Sequence, residues 1–144
     1  MKTSLDVLVV DSSRVRQQHI ANGLYSDAHN VRVTGVDNFH DALGSLAIGS
    51  ILGKPYDAYV VHNPFSRYKR QEPQDLSIEF AEKVFEIEGT SDKIFVADSD
   101  FSMLLDARHE GYHRLYYEGQ EVQSSGVKPI DSLIPDLRRF LKIE

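Results

Sequence analysis

Asp6-Val7-Leu8-Val9-Val10-Asp11-Ser12-Ser13-Arg14 is the stretch whose reading decides the fold. Val7 to Val10 are four aliphatic residues without a polar break, the pattern of a strand covered on both faces, as in a parallel sheet. The acid and two serines that follow mark where the strand's carboxyl end meets a helix amino terminus, with Ser12 or Ser13 as the cap. Open α/β sheets gather ligands at that edge, so functional side chains are sought there.

Working outward, residues 14–24 read as a helix with Val15, His19, Ile20 and Leu24 on one side. A polar turn then leads to a second strand over residues 31–36, whose valines alternate with other residues. Asp37 or Asn38 caps a helix in which Phe39, Ala42, Leu43, Leu46 and Ala47 share one face. Gly49, Gly53 and Pro55 end it, and residues 56–64 form a third, central strand closing on His62-Asn63-Pro64. Residues 65–75 read as an exposed loop. The face of a third helix follows in Phe80, Ala81, Val84, Phe85 and Ile87, stopped by Gly89.

A fourth strand, residues 93–97, runs into Asp98-Ser99-Asp100; a fourth helix is capped by Asp100 or Ser102 and buries Met103, Leu104 and Ala107. Residues 113–117 make a short fifth strand, residues 118–126 a polar excursion. Val127-Lys128-Pro129 leads to a last helix striped with Ile130, Leu133, Ile134, Leu137 and Leu141, with Pro135 tolerable only in its first turn. Strand and helix alternate five times, with connections too long for hairpins, so the strands are parallel and joined by right-handed crossovers. The expectation is an α/β three-layer sandwich, a five-stranded parallel sheet with helices on both faces, filling one domain over residues 1–144.

Composition narrows the function classes. With no cysteine, disulfides, thiolate metal sites and cysteine nucleophiles are excluded. A net charge of −6 and a pI near 5.5 argue against bulk attraction to nucleic acid or anionic lipid. The basic run Ser66-Arg67-Tyr68-Lys69-Arg70 reads as a solvated loop. Nothing resembles a signal peptide or a membrane span, so a soluble cytoplasmic protein without membrane or nucleic-acid partners is expected.

Val7-Leu8-Val9-Val10-Asp11-Ser12-Ser13-Arg14-Val15-Arg16, the strand from Tyr56 to His62, and Lys128-Pro129 before an amphipathic last helix resemble a bacterial response-regulator receiver domain over nearly the whole chain. The resemblance implies a flavodoxin-like fold and a place in two-component signalling. In that family two adjacent acids after the first strand hold Mg²⁺ and an aspartate ending the third accepts a phosphoryl group. A Thr or Ser ends the fourth strand and a Lys the fifth. Here the acid pair is Asp11-Ser12, the acceptor position is His62 with Asn63 beside it, and the hydroxyl position falls on Asp98 or Ser99. Ungapped counting puts Glu118 at the lysine position; Lys128 fits if residues 118–126 are an insertion, which is the preferred alignment. An acyl phosphate needs a carboxylate, and neither alignment supplies one at the acceptor place.

The sequence is therefore expected to encode a pseudo-receiver: a phosphorylation-independent, non-enzymatic signalling module without cofactor, acting on a protein partner or as a homodimer. By resemblance the contact face joins the fourth helix, fifth strand and last helix, with Tyr116, Tyr117, Arg138 and Arg139; of the two tyrosines one faces the core and the other solvent. Two other readings stand beside it. One is an atypical receiver or metal-binding protein using His62 with Asp11 and Asp98. The other is a small-ligand module at the same strand ends, although no Gly-rich turn follows the first strand for a flavin or dinucleotide.

Overall fold

A computed structural model describes residues 3–119 and 126–143 of the chain. The expected central strand is β1 (Thr3–Val10), and Val7, Leu8, Val9 and Val10 have no solvent exposure. It pairs in parallel on one side with β2 (His29–Val36) and on the other with β3 (Ala58–His62). Alternation along β1 sends Leu8 and Val10 to one face and Val7 and Val9 to the other, and each face has its own apolar cluster.

The helices divide accordingly. α1 (Arg14–Gly23) contributes Ile20 to the cluster that holds Val7 and Val9, where α5 (Leu133–Phe140) adds Leu133 and Leu137. α2 (Phe39–Ile51), α3 (Ser77–Glu88) and α4 (Phe101–His109) cover the opposite face with Phe39, Phe80 and Leu104 among their buried residues. The starts are set by local chemistry: Ser13 Oγ accepts from Arg16 N at 3.2 Å, and Asn38 Oδ1 from Asp41 N at 2.9 Å. Asp100 Oδ1 likewise caps α4 by accepting from Ser102 N at 3.0 Å. At the far end of α3, Gly89 adopts φ 76°, a left-handed cap that a side chain would strain.

The short strands are β4 (Phe65–Ser66), β5 (Pro73–Gln74), β6 (Ile94–Asp98), β7 (Leu115–Tyr117) and β8 (Val127–Pro129). The main sheet runs β2-β1-β3-β6-β7-β8, parallel throughout, an α/β arrangement compatible with a flavodoxin-like fold. It has six strands rather than the five expected. The sixth, Val127-Lys128-Pro129, is too short to show a period, and its proline lacks the N–H a central strand would need, so it occupies the sheet edge.

Three further expectations are corrected. Residues 65–75 are not only loop: β4 and β5 pair antiparallel there, and Phe65 is fully buried. Val15 is 80 % exposed; at about 100° per residue it lies roughly 140° around the helix from Ile20. Phe85 and Ile87 are also exposed, because the buried stripe of α3 is Ser77, Phe80, Ala81 and Val84. The polar excursion lies, over residues 120–125, outside the described residues. Among the described residues no helix is long and apolar enough to cross a membrane.

Phe80 meets Phe39 and Tyr59 edge-on, at centroid distances of 6.3 and 6.1 Å, beneath the central strands. Phe80→Ala is expected to cost about 3–5 kcal/mol, read as a lower urea midpoint at unchanged slope.

Candidate functional site

The end of β1 is closed by its own side chains. Asp11 is fully buried, and its Oδ1 accepts from Ser13 N at 2.8 Å, turning the chain into α1. Arg16, one turn into that helix, reaches back with Nε 2.9 Å from Oδ2 and a terminal nitrogen 2.8 Å from Oδ1. Hydrogen bonding to Asp11 raises the Arg16 pKa against the opposing effect of partial burial. Both carboxylate oxygens are thus occupied, while Ser12 faces solvent.

At the end of β3, adjacent residues point to opposite faces of the sheet. His62 belongs to the α1/α5 side and is 5 % exposed; its Nε2 lies 2.8 Å from Glu118 Oε2. An ionised carboxylate only accepts, so Nε2 carries the hydrogen, and Nδ1, also buried, has no partner among the described residues. Glu118 directly follows β7 and is anchored by its own N–H, which donates to Asp98 O at 2.9 Å. Asn63 goes the other way. Its Nδ2 donates to Ser77 Oγ at 2.6 Å and to Asp98 Oδ2 at 3.1 Å, and its Oδ1 accepts from Ser77 N at 3.1 Å.

Asp98 is 2 % exposed, and Asp100 N donates to its Oδ1 at 2.9 Å. Burial pushes its pKa up, outweighing the backbone hydrogen bond from Asp100 and the one from Asn63, and the charges of Asp75 and Asp100 push the same way. Ser99 is exposed. Asp11, His62 and Asp98 therefore share one edge but not one pocket, since Asp98 is bonded to Asn63 within the layer of α3 and α4. Among the described residues no three His, Asp or Glu side chains are grouped to hold a metal ion.

Of the two lysine-position alternatives, Glu118 is the one that reaches the β3 end. Lys128, on β8, instead places Nζ 2.9 Å from Asp136 Oδ2, away from the strand-end cavity. Lys128 and Pro129, the position preferred by the insertion alignment, lie on the sixth strand.

The expected contact residues separate into two kinds. Tyr116 is buried with its hydroxyl 2.7 Å from Asp136 Oδ2, and Tyr117 is half-buried, edge-on to Phe101. Arg138 donates to the carbonyls of Gly23 and Tyr25 at 3.1 and 2.9 Å, tying α5 to the end of α1. Arg139 pairs with Asp136 at 2.7 Å and its side chain is 73 % exposed. Burial opposes ionisation of Asp136, but hydrogen bonds from Tyr116, Lys128 and Arg139 outweigh it and lower the pKa. In the basic run, Arg67 pairs with Glu79 at 2.8 Å and Lys69 lies 3.6 Å from Asp41.

No protein-family model matches the chain, and no curated protein or solved structure matches it. The site is therefore defined by its own geometry. On the α1/α5 side a cavity of about 260 Å³ opens at the strand ends, with Ile20, Val60 and Leu133 among its apolar lining and Arg16, His62 and Glu118 among its polar lining. Sequence reasoning missed Arg16, Asn63 and Ser77 as partners. The retrievable signal was local: Arg16 stands five residues after Asp11, at the third position of a capped helix.

Arg16→Met is expected to leave the Asp11 carboxylate buried without its counter-charge and to cost about 2 kcal/mol in urea unfolding, less than a fully buried pair because Arg16 is partly solvated. Adding Asp11→Asn should recover much of the loss. For Asp98 the folded-state pKa is raised, so the folded state holds its proton longer than the unfolded chain and ionisation destabilises the fold as pH rises out of the ordinary carboxylate range. Asp98→Asn replaces one accepting oxygen by an amide at a pH-independent cost, but it should remove this loss, so that the stability of wild type relative to the variant falls as pH rises from about 4 towards 7 in paired thermal melts.

Proposed function

We propose that this protein is a phosphorylation-independent pseudo-receiver, a signalling module that works through protein contacts. One observation carries the reading: the end of β3 presents His62 and Asn63, with no carboxylate to become an acyl phosphate. The surroundings support it. Asp11, the lone acid at the β1 end, has both oxygens taken by Arg16, which leaves no free carboxylate for a divalent cation. Where a receiver bridges its third and fifth strands through an aspartate and a lysine, here His62 and Glu118 span β3 and β7, with the carboxylate on the β7 side. An imidazole held by a carboxylate needs no phosphoryl group to keep those strand ends joined.

A partner face on α4, β7, β8 and α5 is part of the same proposal. Tyr117, Lys128 and Arg139 are its accessible members, and Tyr116 and Arg138 hold the framework behind them. Cytoplasmic signalling is the setting this reading implies.

Incubation with acetyl phosphate and Mg²⁺, followed by intact-mass measurement and light scattering, is expected to give no phosphoryl adduct and no change in solution mass. A stoichiometric acid-labile adduct would overturn the reading.

A further inference from the structure

We infer that the outer edge of β2 is a self-association surface, through which two copies of this chain join antiparallel about a two-fold axis into one continuous sheet. The two edges of the main sheet are built in opposite ways. β8 is three residues long and closes on Pro129, whereas β2 runs for eight residues, matches β1 residue for residue without a bulge, and contains neither proline nor lysine. Shortness, bulges, proline and lysine are the means by which proteins keep sheet edges from pairing, and β2 uses none of them. Its one arginine, Arg32, is turned back onto Asp6 of β1 at 2.9 Å. Asn30, Arg32, Thr34 and Gly35 are exposed.

The backbone names the occupant. Val36 O accepts from Asp11 N at 2.9 Å, so the peptide groups of Val36 face β1. Those of alternate residues face the other way, which turns the N–H and C=O of Val31, Val33 and Gly35 outward, without a partner among the described residues. Donors and acceptors at that spacing fit an added strand, and a second copy of β2 offers the same set in reverse. Two registers, centred on Arg32 or on Val33, give the longest overlap. The first sets the two Arg32 guanidinium groups directly opposite each other. The second sets Arg32 opposite Thr34, Val31 opposite Gly35 and His29 opposite Asp37, so charge selects it. In that register Val33 exchanges N–H and C=O bonds with its counterpart, and Val31 with Gly35. Side chains continue the fit. A groove of about 430 Å³ sets Ile48 and Leu52 of α2 beside Arg32 and Thr34, and these two apolar residues are 60 % and 66 % exposed. The two-fold axis keeps both copies of α2 on one face, and Arg32 and Thr34 flank it, so joining the strands brings the two apolar grooves together. This edge lies at the opposite end of the sheet from β8, and its assignment does not depend on the pseudo-receiver reading.

Sedimentation equilibrium of the full chain at micromolar concentration is expected to give a mass twice the 16.3 kDa of one chain, falling towards the single-chain value on dilution. Thr34 and Ile48 are exposed, so variants there should keep the wild-type far-UV circular dichroism. Thr34→Lys sets a like charge opposite Arg32 of the second copy at two symmetric places and should weaken the dimer about tenfold, whereas Thr34→Glu sets an opposite charge there and should tighten it about tenfold. Ile48→Lys, which brings charge into the joined apolar grooves, should weaken it as well. A single-chain mass throughout the micromolar range, a dissociation constant unmoved by Thr34→Lys and Ile48→Lys, or equal shifts in Thr34→Lys and Thr34→Glu would overturn the inference.

Discussion

Burial of β1 and β3 on both faces is the constraint from which the rest of the molecule follows. Every residue of β3 is buried, as are the last four of β1, so their backbone groups must be satisfied by neighbouring strands and their side chains by a helix layer above and below. Parallel pairing meets the first need, and crossover helices meet the second. One consequence is positional. Polar side chains cannot interrupt the strands, so they collect at the carboxyl edge, where Asp11, His62, Asn63, Ser77 and Asp98 account for most of the buried polar residues.

Buried polar groups in a low-dielectric setting have to be compensated, and here the compensation is almost entirely internal. Asp11 is neutralised by an arginine from the helix it initiates. Asn63 joins the end of β3 to the start of α3 and to Asp98, so a single amide links three elements. His62 and Glu118 couple β3 to β7 across the intervening β6. Among the described residues, the carboxylates of Asp11 and Asp98 and the amide of Asn63 are each satisfied by neighbouring protein groups.

The surface charges behave in a related way. Arg67 stacks over Phe39 at 5.0 Å while pairing with Glu79, and Arg114 lies over both Phe95 and Phe140. Such arginines contribute packing through their planar heads as well as charge. Within the basic run Arg67 fastens the loop to α3, whereas Lys69 and Arg70 remain exposed.

Much of the architecture was legible in the residues alone. The unbroken apolar run of β1, the stripe of α2 apart from the exposed Ala47, and the capping residues Ser13, Asn38 and Asp100 each express a rule that acts within one element, so composition and spacing suffice to see them. Position at the strand ends was legible for the same reason, which is why Asp11, His62 and Asp98 could be named. Which face each would take was not: Asp98 meets Asn63 and His62 meets Glu118 only once strand register and sheet order bring residues 35 and 56 positions apart into contact. The sixth strand, three residues ending in proline, likewise exists because β7 offers it an edge. Local rules determined the elements and their polar ends, and three-dimensional pairing alone decided which of those ends share a cavity, because hydrogen bonds between distant residues depend on distances that no linear spacing encodes.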